Sequence, residues 1–166
     1  LLQAIDPSVA LPYWKFDAPA TNIFAPDFMG SVGQNNKVAL LSDNPLRLWS
    51  MSGDGVQGTG ITRAKMKVGS KSGVPEGMPT EQEALALGNN FSTFKRMETS
   101  FHNLAHSAWP APSWLLPPEL APRDPLFFLL HCNVDRVWAK WQWLRDRYTA
   151  TSTLTYDLQG SYANPP

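Results

Sequence analysis

Apolar residues recur at helical spacing only in the second half of this chain. Phe91, Phe94, Met97, Phe101, Leu104 and Ala105 follow a three-to-four-residue rhythm and predict a helix over 91–108. A second run, Leu126, Phe127, Leu130, Val134, Val137, Trp138, Trp141 and Leu144, predicts a longer helix over 125–147. Asp124 stands at its N-cap position and Pro125 in its first turn. A short helix over 81–87 is announced by Thr80 followed by Glu83, a capping-box pattern, with Gly88 as its stop. Between the two long helices, Pro110, Pro112, Pro117, Pro118 and Pro122 forbid regular helix. Residues 1–75 carry no such rhythm. Their clusters of Gly, Pro, Asn, Ser and Asp mark turns and irregular coil, with short extended pieces expected at 37–41 and 61–68. A coil of that length in a compact domain is usually functional or wrapped over a core. The expected fold is mainly α: an antiparallel helix-bundle core wrapped by long Pro/Gly-rich loops with few short strands. Along the chain this makes a loop-rich segment at 1–79, a helical region at 80–148 and a coil tail at 149–166, forming a single domain or the C-terminal half of one.

Composition narrows this picture. A chain of 166 residues fits one domain. No apolar run approaches the roughly 18–20 residues needed to cross a bilayer. Lys+Arg and Asp+Glu balance at 14 each, which leaves no electrostatic case for nucleic acid or anionic lipid as partner. Seven tryptophans point to an aromatic-rich core, and fifteen prolines to stiff, ordered loops. The one cysteine, Cys132, excludes an internal disulfide and reads as a small buried hydrophobe. The first eleven residues lack the basic region and cleavage site of a signal peptide. The chain starts without methionine, inside what reads as the end of a helix, so the natural N-terminus is expected upstream. The compartment is left open.

All three histidines fall in the helical half. His102 and His106 are four apart, so on a helix their rings point the same way, about 40° apart around the axis. His131 lies among Phe128, Leu129, Leu130 and Cys132. An imidazole buried there is costly without a partner, and a metal ion or a hydrogen-bond acceptor would answer the need. Imidazole suits copper, zinc, iron and nickel. A zinc-hydrolase reading is weak, because HNLAH lacks the glutamate of the HExxH pattern. Three ligands make one site and leave none for a second.

HNLAH, followed after the Pro-rich loop by DPLFFLLHCNVDRVWAKWQ, resembles the second copper-binding region of the tyrosinase family, which includes tyrosinases, catechol oxidases and molluscan hemocyanins. LPYWKFD resembles the PYWD-type segment that follows that family's first copper region. The resemblance runs from Thr80 to Trp141, and more weakly back to residue 12. It implies a type 3 copper centre, with two coppers each held by three histidines and dioxygen bound between them. His102, His106 and His131 match the ligands of the second copper. The implied activity is polyphenol oxidase chemistry, the oxidation of phenols and catechols to o-quinones. The alternative is a non-catalytic copper-binding or oxygen-carrying domain like that of hemocyanin.

Further residues map onto family positions. Glu98 and Asn103 stand where a glutamate and an asparagine are proposed to hold a water that deprotonates the phenol. Two acceptors on one water make it more basic. Alternatively, Glu98 pairs with Lys95 or Arg96, and Asn103 orients His102 or caps the backbone. Asp135 suits either an imidazole acceptor or, more simply, an ion pair with an arginine. Trp138 and Trp141 read as core, and Phe127 as packing on His131. Leu130 stands where the family usually has a further histidine, so an outer polar group is lost. The family's first copper region is not within the chain. The resemblance therefore implies that a second polypeptide, or a missing N-terminal half, carries three more histidines.

Overall fold

The computed structural model describes residues 2–20, 22–49, 60–70 and 73–156. Part of the expected turn-rich stretch, 50–59, and the last ten residues of the expected tail, 157–166, lie outside the described residues. Helix is the predominant regular structure. α1 spans Leu2–Ile5, α2 Glu81–Leu85, α3 Phe91–Phe94, α4 Asn103–Ser107 and α5 Leu126–Arg145. Two strands of two residues each, β1 (Ser31–Val32) and β2 (Val38–Ala39), pair antiparallel. The extended pieces expected from sequence shrink to β2 and to isolated bridges joining Lys37 to Thr62 and Val68 to Pro75.

α5 is the longest element. The carboxylate of Asp124 accepts the Leu126 N–H at 2.9 Å and so satisfies one orphan donor of its first turn. Asp146, in the left-handed region at φ 51°, ends it. Leu126, Leu129, Leu130, Asn133, Val137 and Trp141 form a buried stripe along one side. Phe128, Asp135, Ala139 and Trp143 are exposed on the other. Cys132, expected to be buried, is only half-buried for the same reason: it lies toward the uncovered side.

The single helix expected over 91–108 is broken. α3 ends at Phe94, a π-helical turn occupies Glu98–His102, and α4 follows. A local cause is visible: the hydroxyls of Thr99 and Ser100 both donate to the Arg96 carbonyl, competing with the helical ladder. Phe94, Met97, Phe101 and Ala105 stay buried through the break. The apolar rhythm therefore could not distinguish a broken helix from a continuous one.

α2 opens with the predicted capping box. Thr80 N–H donates to Glu83 Oε2 at 2.7 Å, and Glu83 N–H to Thr80 Oγ1 at 3.2 Å. The helix stops two residues short of the expected end. Gly88 sits so close to Thr93 that a Cβ there would lie 1.8 Å from its hydroxyl oxygen. The Trp141 indole donates to the Gly88 carbonyl at 2.9 Å, which joins this turn to α5.

The core is aromatic, as the tryptophan count suggested. Trp14 meets Phe16, Phe24 and Trp109 edge to face at 5.5, 5.5 and 6.0 Å, and Phe94 stacks on Trp141 at 4.6 Å. Trp14 N–H donates to the Leu129 carbonyl at 3.0 Å, so the segment around LPYWKFD is laced directly to α5. Trp141 is fully buried, whereas Trp138 is half-buried against Phe91 and Tyr156. No helix among the described residues is long and apolar enough to cross a membrane.

Candidate metal centre

The π turn, α4 and α5 bring the three imidazoles together. The Nε2 atoms of His102 and His106 are 3.1 Å apart, and each lies 3.4 Å from Nε2 of His131. One point lies about 2 Å from all three nitrogens, which is the length of a metal–imidazole bond. No other group of three or more His, Cys, Asp or Glu side chains that could hold an ion was found among the described residues.

The far nitrogens show which atoms face inward. His106 Nδ1 lies 2.8 Å from the Leu115 carbonyl, which can only accept, so Nδ1 carries the proton and Nε2 a lone pair. His102 Nδ1 lies 2.9 Å from Glu98 Oε2, and the carboxylate charge favours a proton on that nitrogen too. This contact is one of proximity: Nδ1 is buried, and its N–H is not squarely aimed at the carboxylate. Two lone pairs thus face each other at 3.1 Å with no proton between them. A cation at the centre resolves that repulsion, so this donor set fits a bound metal ion.

Electrostatics favour the same state. Burial, reinforced by the neighbouring His102 and His106, pushes the His131 pKa down to about 4. Burial also lowers that of His106, against the opposing pull of the Leu115 carbonyl. Both rings are neutral near pH 7, the form a metal requires. The His102 ring beside Glu98 holds its carboxyl below the usual glutamate range, so Glu98 is an anion. The Phe127 ring lies against His131, with centroids 4.1 Å apart and planes tilted by 36°, and fixes its face.

In front of the three nitrogens lies a cavity of about 420 Å³, walled by the histidines together with Asn103, Leu116, Pro118 and Phe127. That volume is within the usual range for small-molecule sites. Asn103 is therefore at the cavity wall. Glu98, whose side chain is 53% exposed, lies toward the far nitrogen of His102. Among the described residues Asp135 does not take up the expected ion pair with an arginine. Arg136 donates to Glu81 and, at 3.0 Å, to Asn133 Oδ1. Sequence reasoning missed the Leu115 carbonyl, since any residue type can supply a backbone acceptor. It also read Asp124 only as a cap, missing its buried ion pair with Arg63 at 2.6 Å.

Residues 1–144 match the family model described as the common central domain of tyrosinase. The chain belongs to the tyrosinase family. It is 29% identical to a tyrosinase of Streptomyces lincolnensis and 30% identical to one of Streptomyces antibioticus, covering 85% of this chain and 56% of each relative. It is also 32% identical over 142 residues to Hemocyanin 1 of Megathura crenulata, covering 83% of this chain and 4% of that protein. The chain thus spans little more than half the length of the tyrosinases it matches. Copper is the metal this family implies, and the three-histidine cluster is compatible with one copper site.

Proposed function

We propose that this chain supplies the second copper site of a tyrosinase-like polyphenol oxidase, with His102, His106 and His131 as the metal ligands. The convergence of three Nε2 atoms around one point carries this reading. A copper ion held there would provide one half of the two-electron exchange with dioxygen on which the oxidation of phenols and catechols to o-quinones depends.

The chain's own residues prepare that chemistry. The Leu115 carbonyl locks the His106 tautomer, and the charge of Glu98 favours the matching tautomer of His102 while countering the charge of the ion. Phe127 and Leu116 keep the cavity largely apolar, suited to a phenolic ring. Asn103 offers an amide oxygen at the cavity wall, and Glu98 remains open to solvent. A water between these two acceptors would take the phenol proton.

The chain is, on this reading, the C-terminal half of a tyrosinase-like domain. The other copper and its three histidines come from an N-terminal part of a longer polypeptide or from a second chain, which completes an antiparallel helix bundle against the exposed side of α5. The expected test result is one copper per chain after reconstitution, with little catechol oxidation until a first-copper half is added. A chain that takes up no copper with all three histidines intact refutes the proposal. The similarity to Hemocyanin 1 supports a second reading, an oxygen carrier. Reversible oxygenation of the completed protein without catechol turnover would select it.

A further inference from the structure

Residues 61–68 reach three segments that flank the histidines: the loop before Leu115, the end of α4 and the start of α5. The Thr62 carbonyl accepts the Trp114 N–H at 3.0 Å, one residue before the Leu115 carbonyl that holds His106. Lys67 N–H donates to the Ala108 carbonyl at 2.8 Å, at the C-terminal end of α4. Between them, Arg63 grips the start of α5. Its Nε and Nη2 donate to the two oxygens of Asp124 at 2.9 and 2.6 Å, and Asp124 in turn accepts the Leu126 N–H. Arg63 Nη1 donates to the Met29 carbonyl at 2.9 Å, and the guanidinium lies 5.6 Å from the ring of Trp109, which follows α4.

The pair is 1% and 0% exposed. A buried ion pair is poor value as a source of stability, because desolvation of the two charges offsets their attraction. Its geometry is another matter: a bidentate fork fixes angle as well as distance. From Asp124 to His131 is about 10 Å of helix. A tilt of about 5° at that start would carry His131 by about 1 Å, several times the roughly 0.2 Å tolerance of a metal–nitrogen bond.

We propose that Arg63 is a positioning residue for the metal centre: through Asp124 it sets the start of α5 against the end of α4, so that His131 meets His102 and His106 at ligand distance. This rests on the copper reading above, and the test separates the two. Two variants are compared with the unaltered chain. Arg63→Met with Asp124→Asn removes both charges but keeps an oxygen for the Leu126 N–H. Arg63→Lys keeps the charge and loses the fork. Thermal unfolding, cupric-ion affinity and the cupric electron paramagnetic resonance spectrum are measured on each.

The expected result is folded variants that bind cupric ion about 10- to 100-fold more weakly, with changed hyperfine splitting, and no rescue by lysine. A folded variant with unaltered affinity and spectrum overturns the proposal. Failure of both variants to fold overturns it too, since Arg63 is then a residue of stability. If the unaltered chain binds no copper, the copper reading falls, and the metal-free protein decides about Arg63. The His131 ring protons, shifted by the Phe127 ring, should move in both variants while the Phe94–Trp141 stack keeps its shifts. Unmoved His131 resonances then overturn it.

Discussion

The two sides of the histidine cluster are made of opposite materials. Behind the rings, Phe101, Ala105 and Leu130 are fully buried, and Trp14, Phe16 and Trp109 pack beyond them. In front, Asn103 and Ser107 are exposed, Leu116 is 39% exposed, and the cavity opens beside them. The rear side fixes where the rings stand by close packing, which tolerates little movement. On the front side Phe127 braces His131, and the open cavity leaves room for a ligand or for another polypeptide. The close-packed side and the open side are therefore built by different residues only a few positions apart, and substitutions on the two should separate stability from metal binding.

The largest effect is expected behind the rings. Trp14→Ala should cost about 3–5 kcal/mol of unfolding free energy, read by denaturant titration, because it empties the centre of the aromatic cluster. A loss below about 1 kcal/mol would mean that the rear side is not the stabilising one. His131→Ala should leave the fold in place yet weaken copper binding by more than about 100-fold, measured by competition with a chelator. Glu98→Gln should weaken copper binding by about 10-fold, since the amide cannot supply the charge that faces His102 Nδ1, while its thermal midpoint stays within about 2 °C.

Smaller effects are expected away from the cluster. Burial raises the pKa of Glu81, but hydrogen bonds and charge from Arg136 and Lys140 bring it below the ordinary value of 4.5. A depressed carboxyl contributes stability above its unfolded pKa and loses it as pH falls through the folded one. Glu81→Gln should therefore cost about 1 kcal/mol at neutral pH and flatten the loss of stability below pH 4.5. An unchanged acid limb in a pH series of unfolding curves would show that this network contributes nothing. Smallest of all, Phe128→Ser should alter the stability of the isolated chain by less than about 0.5 kcal/mol, yet weaken its association with a first-copper half in a binding titration. A large stability loss would place Phe128 in the core and close the exposed side of α5.

What was legible in the sequence follows from how far each feature reaches along the chain. The capping box at Thr80 and Glu83 and the buried stripe of α5 are set by neighbours within a few residues, and both were read. His102 and His106 were legible as a pair for the same reason, and His131 through its apolar setting. The π turn was not, because it keeps Phe94, Met97, Phe101 and Ala105 inward just as a continuous helix does. The Arg63–Asp124 pair joins residues 61 positions apart, and no local pattern marks such a partnership. The Leu115 carbonyl was invisible because its role belongs to backbone, not to residue type. Cys132 was misplaced because the apolar run at 126–130 just before it makes it read as buried until the exposed side of α5 is known.

The most direct test counts the nitrogens. Cupric ion added to the purified chain should bind one per chain, and pulsed electron paramagnetic resonance should show coupling to three imidazoles, falling to two in each of the single variants His102→Ala, His106→Ala and His131→Ala. Binding that stays unchanged when any one of these histidines is removed, or no binding by the intact chain, would contradict a three-histidine copper site here.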